Sequence, residues 1–366
     1  MSDARALQTL AELAAIPTAS FHESLVATYV AEYLRGIGIP FSVDRHGNLI
    51  ATYRKGTSNR PIALVAHLDH PAIEISEVSS PTTATATLLG GVPATCFDRV
   101  VPLSLVTATG RRAGSIVGRE INPENGRVQS LHLQHEGELS VGDWGVFDLL
   151  AYGQDGNAIA MRAADDLAGV AAALEAFREI VRTAMPGIVY GVFTRAEEVG
   201  LVGAALVAAD RRLPLETIVI SLECSRALPG AELGLGPVIR VGDRSGSFHP
   251  DGESLLLAAL DALPGRAIQR QLMSGGTCEA TAFIRAGYRA TGVALPLGNY
   301  HNVGPNNVIS PEHIDVRDFL GEIDLLVAAA GAATGLLAVD PLVPAKIHQS
   351  RLEASAAPFR LLAGTA

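Results

Sequence analysis

Residues 188–209 of this 366-residue chain are IVYGVFTRAEEVGLVGAALVAA. The segment 188–194 is almost entirely apolar, which is typical of a strand buried on both faces of a sheet. The segment 200–209 favours a helix, and the loop between the two carries Glu197 and Glu198. A buried strand that leads at once into a helix is the repeating unit of α/β folds.

The same alternation of strand and helix runs through much of the chain. It begins at 61–66, PIALVA, which is another short apolar run. Strands joined by helices of this length form βαβ units, so we expect a largely parallel sheet. The predicted strands are 61–66, 188–194, 217–222, 237–241 and 290–294, and the predicted helices include 166–182, 200–209, 252–263 and 311–333.

The stretch 75–158 has a different character. Short β-rich segments follow one another there, separated by Gly, Pro and Asn, and no amphipathic helix interrupts them. This pattern is typical of a small all-β module. We therefore predict a discontinuous α/β domain (1–74 and 159–335), an inserted barrel-like β domain (75–158), and a poorly ordered or partner-docked tail (336–366).

The composition argues against several classes of protein. With 28 basic and 38 acidic side chains the net charge is −10, which argues against a nucleic-acid or anionic-membrane partner. Hydrophobic residues make up 48%, yet no apolar run reaches the roughly 18–20 residues that span a bilayer. Because a secretion signal and paired cysteine motifs are missing, we expect a cytoplasmic protein without a disulfide framework.

Polar residues stand where the predicted strands end. Ligands of α/β sheets bind beyond the carboxyl ends of the strands, so these residues are the candidates for chemistry. His67 and Asp69 lie two positions apart and point the same way, which lets the carboxylate hold the imidazole. The full set is His67 with Asp69, the pair Asp165 and Asp166, the pair Glu197 and Glu198, then Glu223, and His301.

This donor set favours a metal site. Two histidines with several carboxylates suit Zn, Mn or Co with positions open to water, whereas Ca or Mg prefers oxygen alone. If one Asp of 165–166 bridges, each of two ions gains a histidine and another carboxylate. That is an open two-metal site with the ions roughly 3.5–4 Å apart. One glutamate of 197–198 can then ligate while the other takes a proton from water.

The motifs resemble those of the dinuclear metallo-aminopeptidases, metallopeptidase family forty-two, which includes the glutamyl and tetrahedral aminopeptidases. The resemblance covers about 5–335 and implies a three-layer α/β/α zinc-peptidase-like domain with mixed, largely parallel sheet and an inserted β domain. The similar segments are HLD at 67–69, VGDWGVFD at 141–148, DD at 165–166, EEVGLVGA at 197–204, LGLGPVIRVGD at 233–243 and SGGT at 274–277.

The resemblance implies a ligand for each position of a metal pair. Asp165 would bridge two divalent ions, with zinc as the first expectation and cobalt or manganese as alternatives. His67 and Glu223 would complete one site, and Glu198 and His301 would complete the other.

The resemblance also implies catalytic roles, substrate and assembly. Glu197 would be the general base, and Asp69 would orient the neighbouring histidine. Gly275, Gly276 and Thr277 would offer backbone N–H groups to a peptide or small amide substrate. The inserted domain would support a homo-oligomer, such as a dodecamer. The implied activity is removal of N-terminal residues from peptides.

Two departures from the family favour a rival enzyme, a dinuclear-metal deacylase or dipeptidase acting on small N-acyl or amide compounds. The family usually has Asp where Glu223 stands, and Cys278-Glu279 replaces its usual Asp after Gly-Gly-Thr. The insert favours the aminopeptidase instead, because it lies between His67 and Asp165, where aminopeptidases of this family carry theirs. A catalytically silent oligomeric scaffold is the alternative from another class.

Overall fold

The computed structural model describes residues 3–56 and 60–335, so the predicted tail (336–366) lies outside the described residues. The helices are α1 (Asp3–Ala14), α2 (Ser24–Gly36), α3 (Ala164–Arg182), α4 (Val202–Ala209), α5 (Pro250–Ala259), α6 (Glu279–Arg285) and α7 (Val316–Gly335). None of these described helices combines the length and apolar character needed to cross a membrane.

The strands are β1 (Phe41–Val43), β2 (Leu49–Lys55), β3 (Ile62–His67), β4 (Ala72–Ser80), β5 (Thr83–Leu89), β6 (Val101–Thr107), β7 (Gly110–Ile121), β8 (Val128–His135), β9 (Trp144–Phe147), β10 (Tyr152–Asp155), β11 (Ala158–Met161), β12 (Gly187–Thr194), β13 (Ile218–Arg226), β14 (Val238–Asp243), β15 (Gly246–Ser247), β16 (Gln269–Met273), β17 (Arg289–Leu297) and β18 (Glu312–Asp315).

A mixed sheet of nine strands forms the centre of the main domain. Its order is β1-β2-β12-β3-β13-β17-β14-β15, with β16 beside β14. The contiguous strands β12, β3, β13 and β17 are parallel, and β2 and β14 flank them in the antiparallel sense. The carboxyl ends of the four parallel strands therefore share one edge of the sheet.

Helices cover both faces of this sheet. Along β3, Ile62, Leu64 and Ala66 pack in the layer that contains α1, α2, α3, α5 and α7, whereas Ala63 and Val65 pack with α4 and α6. Alternate side chains of a strand point to opposite faces, so a strand covered on both sides is apolar throughout. The predicted three-layer α/β/α domain is confirmed.

The inserted module is a closed barrel with the strand order β4-β5-β8-β7-β6-β9. Buried side chains including Ile73, Leu105, Leu131 and Phe147 form its own apolar core. The predicted barrel-like β insert is thus confirmed. The barrel strands begin at Ala72, while β10 pairs with β11 and β11 pairs with β18, in a sheet separate from the barrel. The domain boundaries at 75 and 158 stay a prediction.

The last described part of the chain differs from the predicted helix 311–333. Glu312–Asp315 forms β18, which is antiparallel to β11, and α7 begins only at Val316. Asp315 then accepts a hydrogen bond from the backbone N–H of Arg317 at 2.8 Å, in the first turn of α7. The helix prediction was wrong over its first five residues, because pairing with a strand about 150 residues earlier overrides the local periodicity.

Candidate metal centre and active site

The shared edge of the parallel strands brings the predicted metal ligands together. His67 is the last residue of β3, and Glu223 lies near the end of β13. Glu198 follows β12 in a loop, and His301 follows β17 in a short 3₁₀ helix (Tyr300–Asn302). Asp165 stands at the start of α3. Five segments that are far apart in sequence therefore meet at one place.

Asp165 lies between the two histidines. Its Oδ1 is 3.3 Å from His67 Nε2, and its Oδ2 is 3.8 Å from His301 Nε2. His301 Nε2 is also 3.2 Å from Glu198 Oε2. Two ligand atoms about 2.0–2.1 Å from one tetrahedral zinc ion are about 3.3 Å apart, so these separations fit shared ions. One ligand atom each from His67, Asp165 and Glu198 lies within 4.8 Å of the others.

The acids around this cluster would be held as anions by a bound cation. Among the described residues, Asp165 Oδ1, Glu198 Oε1 and Glu223 Oε1 have no hydrogen-bond partner. Burial, followed by the nearby Asp165 carboxylate, raises the pKa of Glu223 to about 8. Burial also raises the pKa values of Glu197 and Glu198 well above the usual range. Buried carboxylates collected in this way are stable as anions only beside positive charge, which suits bound metal.

Asp69 fixes the loop of the two glutamates. Its carboxylate accepts hydrogen bonds from the backbone N–H groups of Glu197 and Glu198 at 2.9 and 3.1 Å and from Ser20 Oγ at 2.6 Å. His67 Nδ1 is 3.1 Å from the Asp69 carbonyl oxygen but 3.6 Å from the carboxylate, which is too long for a hydrogen bond. Asp69 therefore contacts His67 through its backbone carbonyl oxygen, while its carboxylate orders the loop that carries Glu197 and Glu198.

Glu312 is a site residue that the sequence did not reveal. Its buried carboxylate accepts hydrogen bonds from the backbone N–H groups of Ala164 at 2.8 Å, Asp165 at 3.0 Å and His301 at 2.8 Å. The side chain thus ties two predicted metal-binding segments together. No signal in the local sequence points to this role, since the contacts depend on the pairing of β18 with β11.

His70 links the backbone of Asp165 to the side chain of Asn302. Its Nδ1 is 2.5 Å from the Asp165 carbonyl oxygen, and its Nε2 is 2.9 Å from Asn302 Oδ1. The Asn302 amide in turn donates to the Arg162 carbonyl at 2.8 Å. Burial lowers the pKa of His70 to about 4. Its place directly after HLD was the signal that could have identified it.

His301 is held by the inserted barrel. Its Nδ1 is 2.7 Å from the carbonyl oxygen of Gly91, which lies between β5 and β6. A carbonyl only accepts, so Nδ1 carries the proton and Nε2 is free to face Asp165 and Glu198. Tyr300 stacks on the imidazole with the ring centroids 3.8 Å apart. The barrel therefore sets the tautomer of a predicted ligand.

The predicted substrate loop borders a cavity beside Glu223. Gly275, Gly276 and Thr277 line this space of about 210 Å³, and Tyr300 lies on another wall. The backbone N–H of Arg244 donates to the Gly276 carbonyl at 2.9 Å. Loop, cavity and predicted metal ligands are thus neighbours.

Comparison with known proteins agrees with this geometry. The family model described as M42 glutamyl aminopeptidase matches residues 47–315, well over half of the chain. The chain belongs to the M42 glutamyl aminopeptidase family. Family membership confirms the resemblance found in the motifs, and with it the prediction of a metal-dependent aminopeptidase. The number and identity of the metal ions and the residue roles stay predictions.

Known relatives of this M42 family member share its fold. The Pyrococcus horikoshii TET1 peptidase has a TM-score of 0.73 at 23% identity, covering 89% of this chain and 99% of that one. Aminopeptidase APDkam598 from Desulfurococcus kamchatkensis has a TM-score of 0.74 at 23% identity, covering 93% and 99%. An Acetivibrio thermocellus protein, provisionally named an aminopeptidase, is 24% identical over 344 residues, covering 85% and 94%.

Close backbone packing at Gly203 accounts for the second glycine of the EEVGLVGA motif (197–204). An added Cβ would lie 2.4 Å from the Arg195 carbonyl oxygen and 2.6 Å from its nitrogen, just before Glu197. We expect Gly203→Ala to destabilise the M42 protein by about 1–3 kcal/mol in denaturant unfolding, because backbone atoms cannot easily move aside. Gly36→Ala is the control, since a Cβ there meets nothing within 4 Å, and it should be neutral or slightly stabilising. Equal stability of the two variants would contradict this assignment.

Proposed function

We propose that this M42 family member removes N-terminal residues from peptides with two divalent ions held around Asp165. The supporting observation is the position of its carboxylate between two imidazoles, 3.3 Å and 3.8 Å away. His67 and Glu223 would hold one ion, and Glu198 and His301 would hold the other. Zinc is the first expectation, and cobalt or manganese suits the same imidazole and carboxylate donors.

The chain's own residues would move the proton and place the substrate. Such ions, when bound, act as Lewis acids toward water and the scissile carbonyl. Glu197, on the loop ordered by Asp69, would take a proton from the attacking water and return it to the leaving amine. Gly275, Gly276 and Thr277 would bind the substrate backbone from the cavity wall.

We also propose a homo-oligomer in the cytoplasm, with a dodecamer as the first expectation. The related TET1 peptidase can assemble into a tetrahedron or a large octahedral shell. Exposed apolar side chains on the inserted module, Val100 and Val141 at 62% and 67%, offer contacts for such an assembly. The free, buried thiols of Cys96, Cys224 and Cys278 suit a reducing compartment.

The test of this function is a substrate screen on protein stripped of metal and reloaded with Zn, Co or Mn. We expect the stripped protein to be inactive, and one metal to restore cleavage of free peptides with about two ions bound per subunit. N-acetylated copies of the same peptides should be cleaved far more slowly. Preference for the acetylated copies would favour the deacylase or dipeptidase, and protein that binds no metal would favour the scaffold.

A further inference from the structure

Glu23 is a buried acid that takes no part in the proposed mechanism. It stands directly before α2 and is 0% exposed. Its Oε1 accepts hydrogen bonds from the backbone N–H groups of Phe21 at 2.8 Å and Ala196 at 2.9 Å, and its Oε2 accepts one from Arg195 Nε at 2.7 Å. Two of these three donors belong to the residues that come directly before Glu197 in the chain.

Arg195 supplies the positive charge that a buried carboxylate needs. Its Nε faces Glu23, while Nη1 donates to the His46 carbonyl at 3.0 Å and Nη2 donates to the Phe21 carbonyl at 2.8 Å. A buried carboxylate that faces a guanidinium and also accepts N–H groups is well satisfied. The Arg195 side chain is 32% exposed, so water can reach it if the acid is replaced.

The backbone that Glu23 holds has an unfavourable conformation. Ala196 has a φ of 55°, in the left-handed region that residues other than glycine rarely adopt. Its N–H donates to Glu23, and its carbonyl oxygen accepts from the N–H of Val202 at 3.1 Å. Because Ala196 directly precedes Glu197, its backbone angles set the direction in which the glutamate leaves the loop. Without the carboxylate, we expect Ala196 to relax toward negative φ and to redirect Glu197.

The segment that carries Glu23 is itself fixed to two other parts of the protein. Ser20 Oγ donates to the Asp69 carboxylate at 2.6 Å. The His22 ring stacks on Trp144 of the inserted barrel, with the ring centroids 5.2 Å apart. A group that orients another side chain needs support of this kind, since its own position must not vary.

We propose that Glu23 is a positioning residue, which orients the Glu197 carboxylate toward the attacking water through the turn at Ala196. This inference rests on the proposed function, in which Glu197 is the general base. Asp69 holds the N–H of Glu197 itself, whereas Glu23 holds the N–H of the residue before it. The two acids thus fix successive N–H groups of one loop. A displacement of about 1 Å at a reacting group can cost about 100-fold in rate.

A double-mutant cycle with Glu197→Gln tests this role. Glu23→Met fills the volume of the carboxylate but accepts no hydrogen bond, so we expect kcat to fall by about 10- to 100-fold with KM unchanged at saturating metal. In protein that already carries Glu197→Gln, the same change should cost less than about twofold, because no base is left to orient. Unchanged kcat in Glu23→Met, or equal losses in the two backgrounds, would overturn the proposal.

Glu175→Met is the matched control for lost stability. Glu175 is 1% exposed and accepts from Thr9 Oγ1 at 2.6 Å and Tyr33 Oη at 2.7 Å, on α3 and away from the glutamate loop. Its replacement should lower the melting temperature as Glu23→Met does, but kcat should stay unchanged. Glu23→Ala, which leaves room for water, gives the same comparison if Glu23→Met does not fold.

Hydrogen–deuterium exchange provides a measurement that does not depend on activity. The Ala196 N–H should exchange faster in Glu23→Met than in the unaltered protein, and at an unaltered rate in Glu175→Met. Unchanged exchange at Ala196 in Glu23→Met would overturn the positioning role. If no substrate is cleaved with any metal, or if Glu197→Gln is fully active, the proposed function fails, and exchange at Ala196 still decides whether Glu23 holds the turn.

Discussion

Glutamine in place of Glu197 is expected to lower kcat by about 10²–10⁴, the usual contribution of general acid–base catalysis, while metal content stays unchanged. The amide fills the volume of the carboxylate but cannot take up the proton of the attacking water. The loop should keep its shape, because Asp69 holds the backbone N–H groups of Glu197 and Glu198, not their side chains. Kinetics and elemental mass spectrometry on one preparation measure both quantities.

The neighbouring glutamate provides the control for this experiment. Glu198 Oε2 lies 3.2 Å from His301 Nε2, so Glu198→Gln alters a proposed ligand and should lower the metal content itself. The same chemical change at adjacent positions therefore separates proton transfer from metal binding. Full activity in Glu197→Gln, or loss of metal from it, would show that the two roles are wrongly assigned.

The second large effect is expected at Glu312. The carboxylate of Glu312 now accepts hydrogen bonds from the backbone N–H groups of Ala164, Asp165 and His301. In Glu312→Gln, the amide nitrogen replaces one of the two oxygens and faces at least one of these N–H groups, from which it cannot accept. Two proposed ligand segments would lose their common support, so metal affinity should fall by about 10–100-fold with a matching loss of activity. Calorimetric titration with the activating metal measures the affinity.

Glu322 on α7 offers a matched control for the second experiment. It is as buried as Glu312, but neither of its carboxylate oxygens has a partner within the described part of the chain. Burial raises the pKa of Glu322 well above the usual range, and Glu322→Gln changes a side chain that accepts no hydrogen bond from either proposed ligand segment. Metal affinity should not change in this variant. Equal affinities in Glu312→Gln and Glu322→Gln would show that Glu312 does not support the site.

The sequence predicted the helix and sheet layers of the main domain, because strands buried on both faces consist almost entirely of apolar residues. The run 61–66 is apolar at every position, and such a segment needs cover on both faces, as β3 has. The polar residues that end these strands were equally visible. Since parallel strands end at one edge, the sequence places His67, Glu198 and His301 together, whereas Asp165 reaches the site from the start of α3.

The features that the sequence missed depend on contacts between distant segments. Residues 312–315 have a helical pattern locally, yet β11 captures them as a strand and so brings Glu312 to the site. Arg240 stands in a segment that reads as an ordinary strand, and nothing local shows that its charge is buried. Contacts between distant segments determine the strand at 312–315 and the burial of Arg240, and such contacts cannot be read from a single sequence.

The hydrogen bond from His301 to the Gly91 carbonyl limits how this protein can be dissected. Excision of the barrel would remove that carbonyl oxygen and leave His301 free to adopt the other tautomer. A graft of a foreign module at the same junctions would have to return one carbonyl oxygen to the same point. A shortened hydrolase engineered from this protein therefore has to keep the Gly91 carbonyl oxygen in place, whichever other residues are removed.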